Sequence, residues 1–184
     1  MANNSSTGGY LAPAVASPPL EDAALNAVFQ QAVSGITGIT GDLIRPRWQP
    51  GNPRQPEPDT DWCAIGVTAT RRDDGPAIIH DGTGDGSDAY IRHEDIDVLA
   101  TFYGPNCQRN AATLQDGLQI PQNLEALFIQ GFSFVEARDA RRAPEFFNQQ
   151  WINRFDVTIR FRRRIDRTYA VLNILSADPA IHSN

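Results

Sequence analysis

The chain has 184 residues, a formal net charge of −6, 41 % hydrophobic residues and 21 % charged ones. That balance fits a globular protein that buries a core without disulfide help, and it excludes a disordered polyampholyte. No apolar run approaches the roughly 20 residues a membrane helix needs, and no basic segment followed by an apolar one opens the chain, so neither a span nor a secretion signal is expected.

Residues 1–19, "MANNSSTGGYLAPAVASPP", are small, polar and proline-rich, and read as a flexible arm before a single domain over 20–184. From Leu20 the pattern changes: Leu25, Val28, Phe29 and Ala32 recur at helical spacing, Glu21 and Asp22 suit a first turn, and Gly35 suits a stop. A helix is expected at about 20–34. Five prolines between Pro46 and Pro58 make 46–60 an extended linker, with Leu43-Ile44-Arg45 a possible short edge strand before it. Asp61 to Arg71 alternates, with Cys63, Ile65, Val67 and Ala69 on one side, which predicts a strand.

Residues 72–88, rich in glycine and aspartate, read as a long loop. A second strand follows, with Ile96, Val98, Ala100 and Phe102 facing one way and Asp95, Asp97, Thr101 and Tyr103 the other, closed by Gly104-Pro105. Helical spacing returns at about 106–118 and 121–130, with Pro121 in the first turn of the latter and Gly131 at its end. "FSFVEA" (132–137) reads as a short strand, and "ARRAPEFFNQQ" as a connector. Between Trp151 and Phe161 alternation is clearest: Phe155, Val157, Ile159 and Phe161 oppose Arg154, Asp156, Thr158, Arg160 and Arg162. Arg163, Arg164 and Asp166 are expected in or near a turn, with "TYAVLNIL" returning as a partner strand. The order predicts an α+β fold, a mostly antiparallel sheet with helices packed on one face.

All 16 basic residues are arginine, whose planar fork suits carboxylates and packed interfaces. Residues 61–104 carry nine acids against three arginines, whereas 105–184 carry ten arginines against eight acids. A subunit polarised in this way can attract a copy of itself. Cys63 and Cys107 lack any CxxC spacing and read as reduced thiols.

Catalytic and ligand chemistry finds little footing. "DGTGDGSD" (81–88) aligns with a calcium loop through Asp81, Thr83 and Asp85, but Arg92 stands where the twelfth-position glutamate is needed. His80, His93 and His182 have no zinc-like spacing and read as surface histidines. No nucleophile elbow, P-loop or dinucleotide fingerprint occurs, so no catalytic residue, cofactor or metal is expected. The basic hairpin of Arg154, Arg160, Arg162, Arg163, Arg164 and Arg167 has three readings: a nucleic-acid grip, a protein–protein surface, or a solvated face. Stacking platforms interleave exposed aromatics with the basic groups, while Phe155 and Phe161 point to the opposite side. Arginine is also enriched at protein interfaces, where it could meet the carboxylates of 73–97 on a neighbour.

Several stretches together resemble the neck or tail terminator proteins of contractile-tailed bacteriophages. They are "LIRPRWQP" (43–50), "DWCAIGV" (61–67), "FYGPNCQRNAATLQDGLQIPQNLEALFIQGFSFV" (102–135) and "APEFFNQQWINRFDVTIRFRRRIDRTYAVLNILSA" (143–177). The resemblance implies a structural, non-enzymatic virion protein. Such a protein forms a ring, usually hexameric, on the last ring of the tail tube, stops polymerisation and offers a docking face to the head connector. The implied partners are further copies of the chain, tail-tube and sheath proteins and the connector, with the genome passing through the lumen without specific binding. The implied location is the virion neck, and the host cytoplasm during assembly. Arg154, Arg160, Arg162 and Arg164, with Asp95 and Asp97, are the expected subunit-interface groups. The alternatives are a nucleic-acid-binding module built on the arginine hairpin, or another head-completion or baseplate subunit.

Overall fold

A computed structural model describes residues 3–14, 19–49, 51, 53–147 and 149–174. These described residues divide into two compact units: one drawn from 20–72 and 93–164, the other from 3–19, 73–92 and 165–174.

The larger unit begins with α1 (Asp22–Thr37), which buries Leu25, Val28, Phe29 and Val33. The helix runs past the expected stop at Gly35, which has open space around it, to Gly38, whose left-handed φ of 74° returns its N–H to the Ser34 carbonyl at 2.9 Å. β1 (Ile44–Pro46) pairs parallel to β2 (Trp62–Arg72), and β2 pairs antiparallel to β4 (Ser87–Tyr103). α2 (Cys107–Gly117) and α3 (Pro121–Ile129) follow, then β5 (Phe132–Ala137), which pairs antiparallel to β9 (Arg154–Tyr169). The strand order is β1-β2-β4-β9-β5, so the fold is the expected α+β, with a mixed but mostly antiparallel sheet.

Two expectations fail between 138 and 153. The expected connector holds β6 (Arg141–Arg142), laid against β9, and a separate hairpin of β7 (Glu145–Phe147) and β8 (Gln150–Ile152). Trp151 therefore belongs to that hairpin. Its ring packs on Phe146 with centroids 5.2 Å apart and stays largely exposed, instead of opening the long strand.

Alternation decides which side of the sheet meets the helices. Cys63 and Ile65 from β2, Ile96, Val98, Ala100 and Phe102 from β4, and Val157, Ile159 and Phe161 from β9 are all buried in one cluster with the helices. Phe29 of α1 stacks on Phe161 at 4.9 Å and meets Phe132 edge-on at 5.4 Å. Gln30 Nε2 donates to the Ile44 carbonyl at 2.7 Å, pinning α1 to the sheet edge.

In the smaller unit the expected loop at 72–88 contains β3 (Ala77–Asp81), paired antiparallel to the first residues of β4 from Asp81↔Ser87 to Ala77↔Ile91. Gly82, Gly84, Asp85 and Gly86 lie at the tip of this hairpin, and Ile78 and Ile79 pair with Tyr90 and Ala89 within its ladder. The expected turn at Arg163–Asp166 is also absent, because β9 runs unbroken to Tyr169. Residues 170–174 form no returning strand, and Leu175 lies outside the described residues.

Candidate assembly surface

The side of the sheet away from the helices carries most of the charge that the sequence singles out. On β9, residues 154, 156, 158, 160 and 162 share this side because side chains alternate along a strand. On β4, residues 95, 97, 101 and 103 do so. Two irregularities complete the pattern. The β2 register slips between Val67 and Ala69, and the β5 register slips between Phe134 and Glu136. Each adds one residue, Thr68 or Val135, and inverts the side on which every later residue falls. Without them Arg71 and Glu136 would point into the apolar core. With them both join the charged face.

A ladder of ion pairs results, in separate groups along the face. Asp97 receives Arg71 Nη2 at 2.7 Å on one carboxylate oxygen and Arg160 Nε at 2.9 Å on the other. Arg160 reaches on to Glu136 at 3.1 Å, and Glu136 also holds Arg138 at 3.3 Å. Arg162 Nη1 donates to Asp95 at 2.8 Å. Further along, Arg154 forks onto Asp156 with bonds of 2.9 and 2.8 Å, and its remaining nitrogen meets Glu145 at 3.3 Å. The Thr101 hydroxyl donates to Asp156 at 2.7 Å and receives an Arg47 guanidinium N–H. The ladder thus crosses four strands. Four expected interface residues are brought together as two pairs, Arg160 with Asp97 and Arg162 with Asp95. Arg154 anchors a second cluster, and Arg164 falls on an exposed stretch of β9.

The charges expected to reach across to a neighbour therefore meet carboxylates of their own chain. Burial alone would raise the Asp97 carboxyl, but the hydrogen bond and charge of Arg160, then those of Arg71, hold it below its usual range. Burial likewise opposes ionisation of Asp156, and the Arg154 fork with the Thr101 hydroxyl outweighs it. Both depressed values have the same sign of linkage. Their contribution to stability is present above the unfolded value of about 3.9 and is lost as the pH falls through the lower folded value. Asp97→Asn keeps the shape but loses the charge on both guanidinium contacts. It is expected to cost about 1.5–3 kcal/mol and to flatten the acid limb of the stability profile, read from urea midpoints between neutral and acid pH.

Near the same end of β9, the other side of the sheet holds a second ion cluster, which sequence reasoning missed. Glu94 is 1 % exposed and Arg163 is 7 % exposed. Arg163 Nε donates to Glu94 at 2.7 Å, Nη2 lies 2.6 Å from the same oxygen, and Nη1 donates to the Leu20 carbonyl. Arg72 Nε reaches the other Glu94 oxygen at 3.2 Å, placed there by the same slip at Thr68. The Arg163 guanidinium also lies over the Phe132 ring, 5.6 Å from its centroid. Parity offered the signal: Arg163 is odd-numbered, like Val157, Ile159 and Phe161, so a strand continuing past Arg162 sends it inward.

The start of the linker lies on the charged face. A Cβ on Gly66 would stand 3.1 Å from Arg47 Cβ and 3.3 Å from the Trp48 ring, so this glycine admits the linker to β2. Beside it Trp62 and Tyr103 stack at 4.3 Å, and Arg154 lies 5.9 Å from the Tyr103 ring centroid. Trp48 remains 72 % exposed, an apolar surface at the edge of the ladder.

Cys63 and Cys107 are free and buried, and burial pushes both thiols up, away from the reactive thiolate. The Asp81–Gly86 turn, aligned above with a calcium loop, points the Gly82 and Gly84 carbonyls at the side-chain amide of Asn173. Among the described residues no helix is long and apolar enough to cross a membrane.

A family model described as phage neck terminator protein matches residues 23–184. No curated protein matches the chain significantly.

Proposed function

The chain belongs to the phage neck terminator family, a structural protein of the virion neck, and from that premise we propose that it closes into a ring, of six copies, at the top of the tail. There it ends growth of the tail tube and presents a face to the head connector, meeting tube and sheath proteins on the opposite side. The observation that carries this reading is the charged sheet face. Its arginines and carboxylates are paired before any partner arrives, so a neighbour covers a nearly neutral, preorganised surface. Covering unpaired charges would instead carry a large desolvation penalty.

Arg154, Arg160, Arg162 and Arg164, with Asp95 and Asp97, are the groups we assign to the contact between copies. A head-to-tail contact whose rotation closes gives a ring, and one that does not gives a filament. The same pairing favours assembly over a nucleic-acid grip. Arg154, Arg160 and Arg162 already hold carboxylates, and a phosphate backbone would have to displace them. DNA therefore passes through the lumen without being held.

Light scattering on the eluting protein and negative-stain microscopy test the ring. The expected result is a closed, uniform ring that caps purified tail tubes. A persistent monomer unable to cap tubes overturns the reading. In a mobility-shift assay at low salt no DNA retention is expected, whereas a shift with a steep salt slope would turn the assignment toward the nucleic-acid module. Reversing one rung, Arg162→Asp with Asp95→Arg, keeps the pair within the chain. It is expected to leave the fold intact and to change ring yield.

A further inference from the structure

The smaller unit contains a side-chain arrangement that ring formation does not use. Asn173 lies in the run after β9, and its backbone N–H donates to the Asp85 carbonyl at 2.9 Å. Its side-chain Nδ2 donates to the Gly82 and Gly84 carbonyls at 3.0 and 3.1 Å. The turn fits closely around it. Gly86, at φ 98°, has no room for a side chain, because a Cβ there would lie 2.7 Å from the Asn173 nitrogen and 2.9 Å from the Val171 carbonyl oxygen.

With Nδ2 committed to two carbonyls, the atom Asn173 turns toward His80 Nε2, 2.9 Å away, is its acceptor Oδ1. The other ring nitrogen, Nδ1, lies 2.7 Å from Asp88 Oδ1. A carboxylate and an amide oxygen both accept. Each ring nitrogen must therefore donate, and only the imidazolium carries two N–H groups. A neutral ring would set a lone pair against one of the two oxygens.

The same run, together with the last residues of β9, holds the N-terminal residues. Ser5 N–H donates to the Ala170 carbonyl at 3.1 Å, Leu172 N–H to the Ser5 hydroxyl at 2.8 Å, and Ala14 N–H to the Thr168 carbonyl at 2.7 Å. We propose that His80 is a protonation-dependent clasp: its imidazolium fastens residues 170–173 to the β3–β4 hairpin, and through them the N-terminal residues, and loss of the proton loosens both.

The charged groups facing the ring are Asp88 from β4 and Asp81 from β3, and the run after β9 contributes the neutral Asn173 amide. The Asp88 hydrogen bond, then that of Asn173, push the imidazole above its ordinary value. A raised histidine stabilises fully below its unfolded value of about 6.5, and that contribution disappears as the pH rises through the folded value. The clasp is closed on the acid side and opens on the basic side. An arm freed in this way can reach a neighbouring subunit, and a closed one stays on its own.

NMR of the imidazole nitrogens in the full chain, with amide exchange at Ser5, Ala14, Leu172 and Asn173, tests the clasp. Two protonated ring nitrogens and a midpoint above about 6.5 are expected. Protection of the four amides, corrected for intrinsic exchange, should fall through the same interval, by up to about tenfold per pH unit separating folded from unfolded midpoints. The Phe102 and Ile159 amides serve as unmoved controls. His80→Gln should flatten the dependence while the hairpin stays folded, and Asn173→Ala should bring the His80 midpoint down. A midpoint at or below the ordinary value, or a titrating His80 with the four amides unmoved, overturns the clasp.

Discussion

Arg163→Ala is expected to destabilise the protein by about 3–5 kcal/mol, the usual cost of stranding one member of a buried ion pair. Glu94 is 1 % exposed, and its closest guanidinium contacts, at 2.7 and 2.6 Å, come from Arg163. Arg72 stays on the second oxygen at 3.2 Å, which places the expected loss toward the lower end of that range. The Leu20 carbonyl also loses its guanidinium donor, and the Phe132 ring loses its cation. The double variant Arg163→Met with Glu94→Leu removes both charges at once and should recover most of the loss, because apolar replacements of buried pairs are often neutral. Denaturant midpoints at constant m decide the matter. A single variant as stable as the wild type would show that water reaches Glu94 and that the pair contributes little.

That pair marks where sequence reasoning stopped. Alternation revealed the strands whose two sides differ in polarity, β2, β4 and β9, and with them the layer of helices. It failed where charge falls on the inner side. From the sequence, Arg163, Arg164 and Asp166 read as lying in or near a turn. In the fold Arg163 finds Glu94, 69 positions away, and the strand continues. The slips at Thr68 and Val135 leave no mark in the sequence, yet they decide that Arg71 and Glu136 face Asp97 and Arg160. The composition of 72–88 hid a hairpin because glycine and aspartate gather at its tip. Why its aspartates and His80 are arranged so becomes apparent only with Asn173, which lies 93 positions from His80.

Gly104→Ala is expected to cost about 3 kcal/mol, combining a backbone conformation that a side chain resists with an overlap the neighbours cannot relieve. Gly104 sits at φ 100°, and a Cβ there would stand 2.5 Å from the Thr60 carbonyl oxygen and 2.8 Å from Asp61 Cα. Both are backbone atoms, so relief requires the chain at 60–61 to move. That chain has a second duty. The Asp61 carboxylate accepts the Asn106 backbone N–H at 2.8 Å and its side-chain amide at 2.7 Å, fixing the entry to α2. Shifting it would tilt the helix that buries Cys107, Ala111 and Leu114. Gly131→Ala provides the control: its φ is 85° but nothing lies within 4 Å of the added carbon, so only the conformational cost of about 1 kcal/mol remains. Thermal midpoints should therefore fall markedly for the first variant and slightly for the second. Equal midpoints would show that the 60–61 backbone yields freely, and would reduce the "FYGP" stretch to a turn without a packing role. The expected difference makes that stretch a physical requirement of the fold: only glycine lets the end of β4, the start of β2 and the entry to α2 meet at one point.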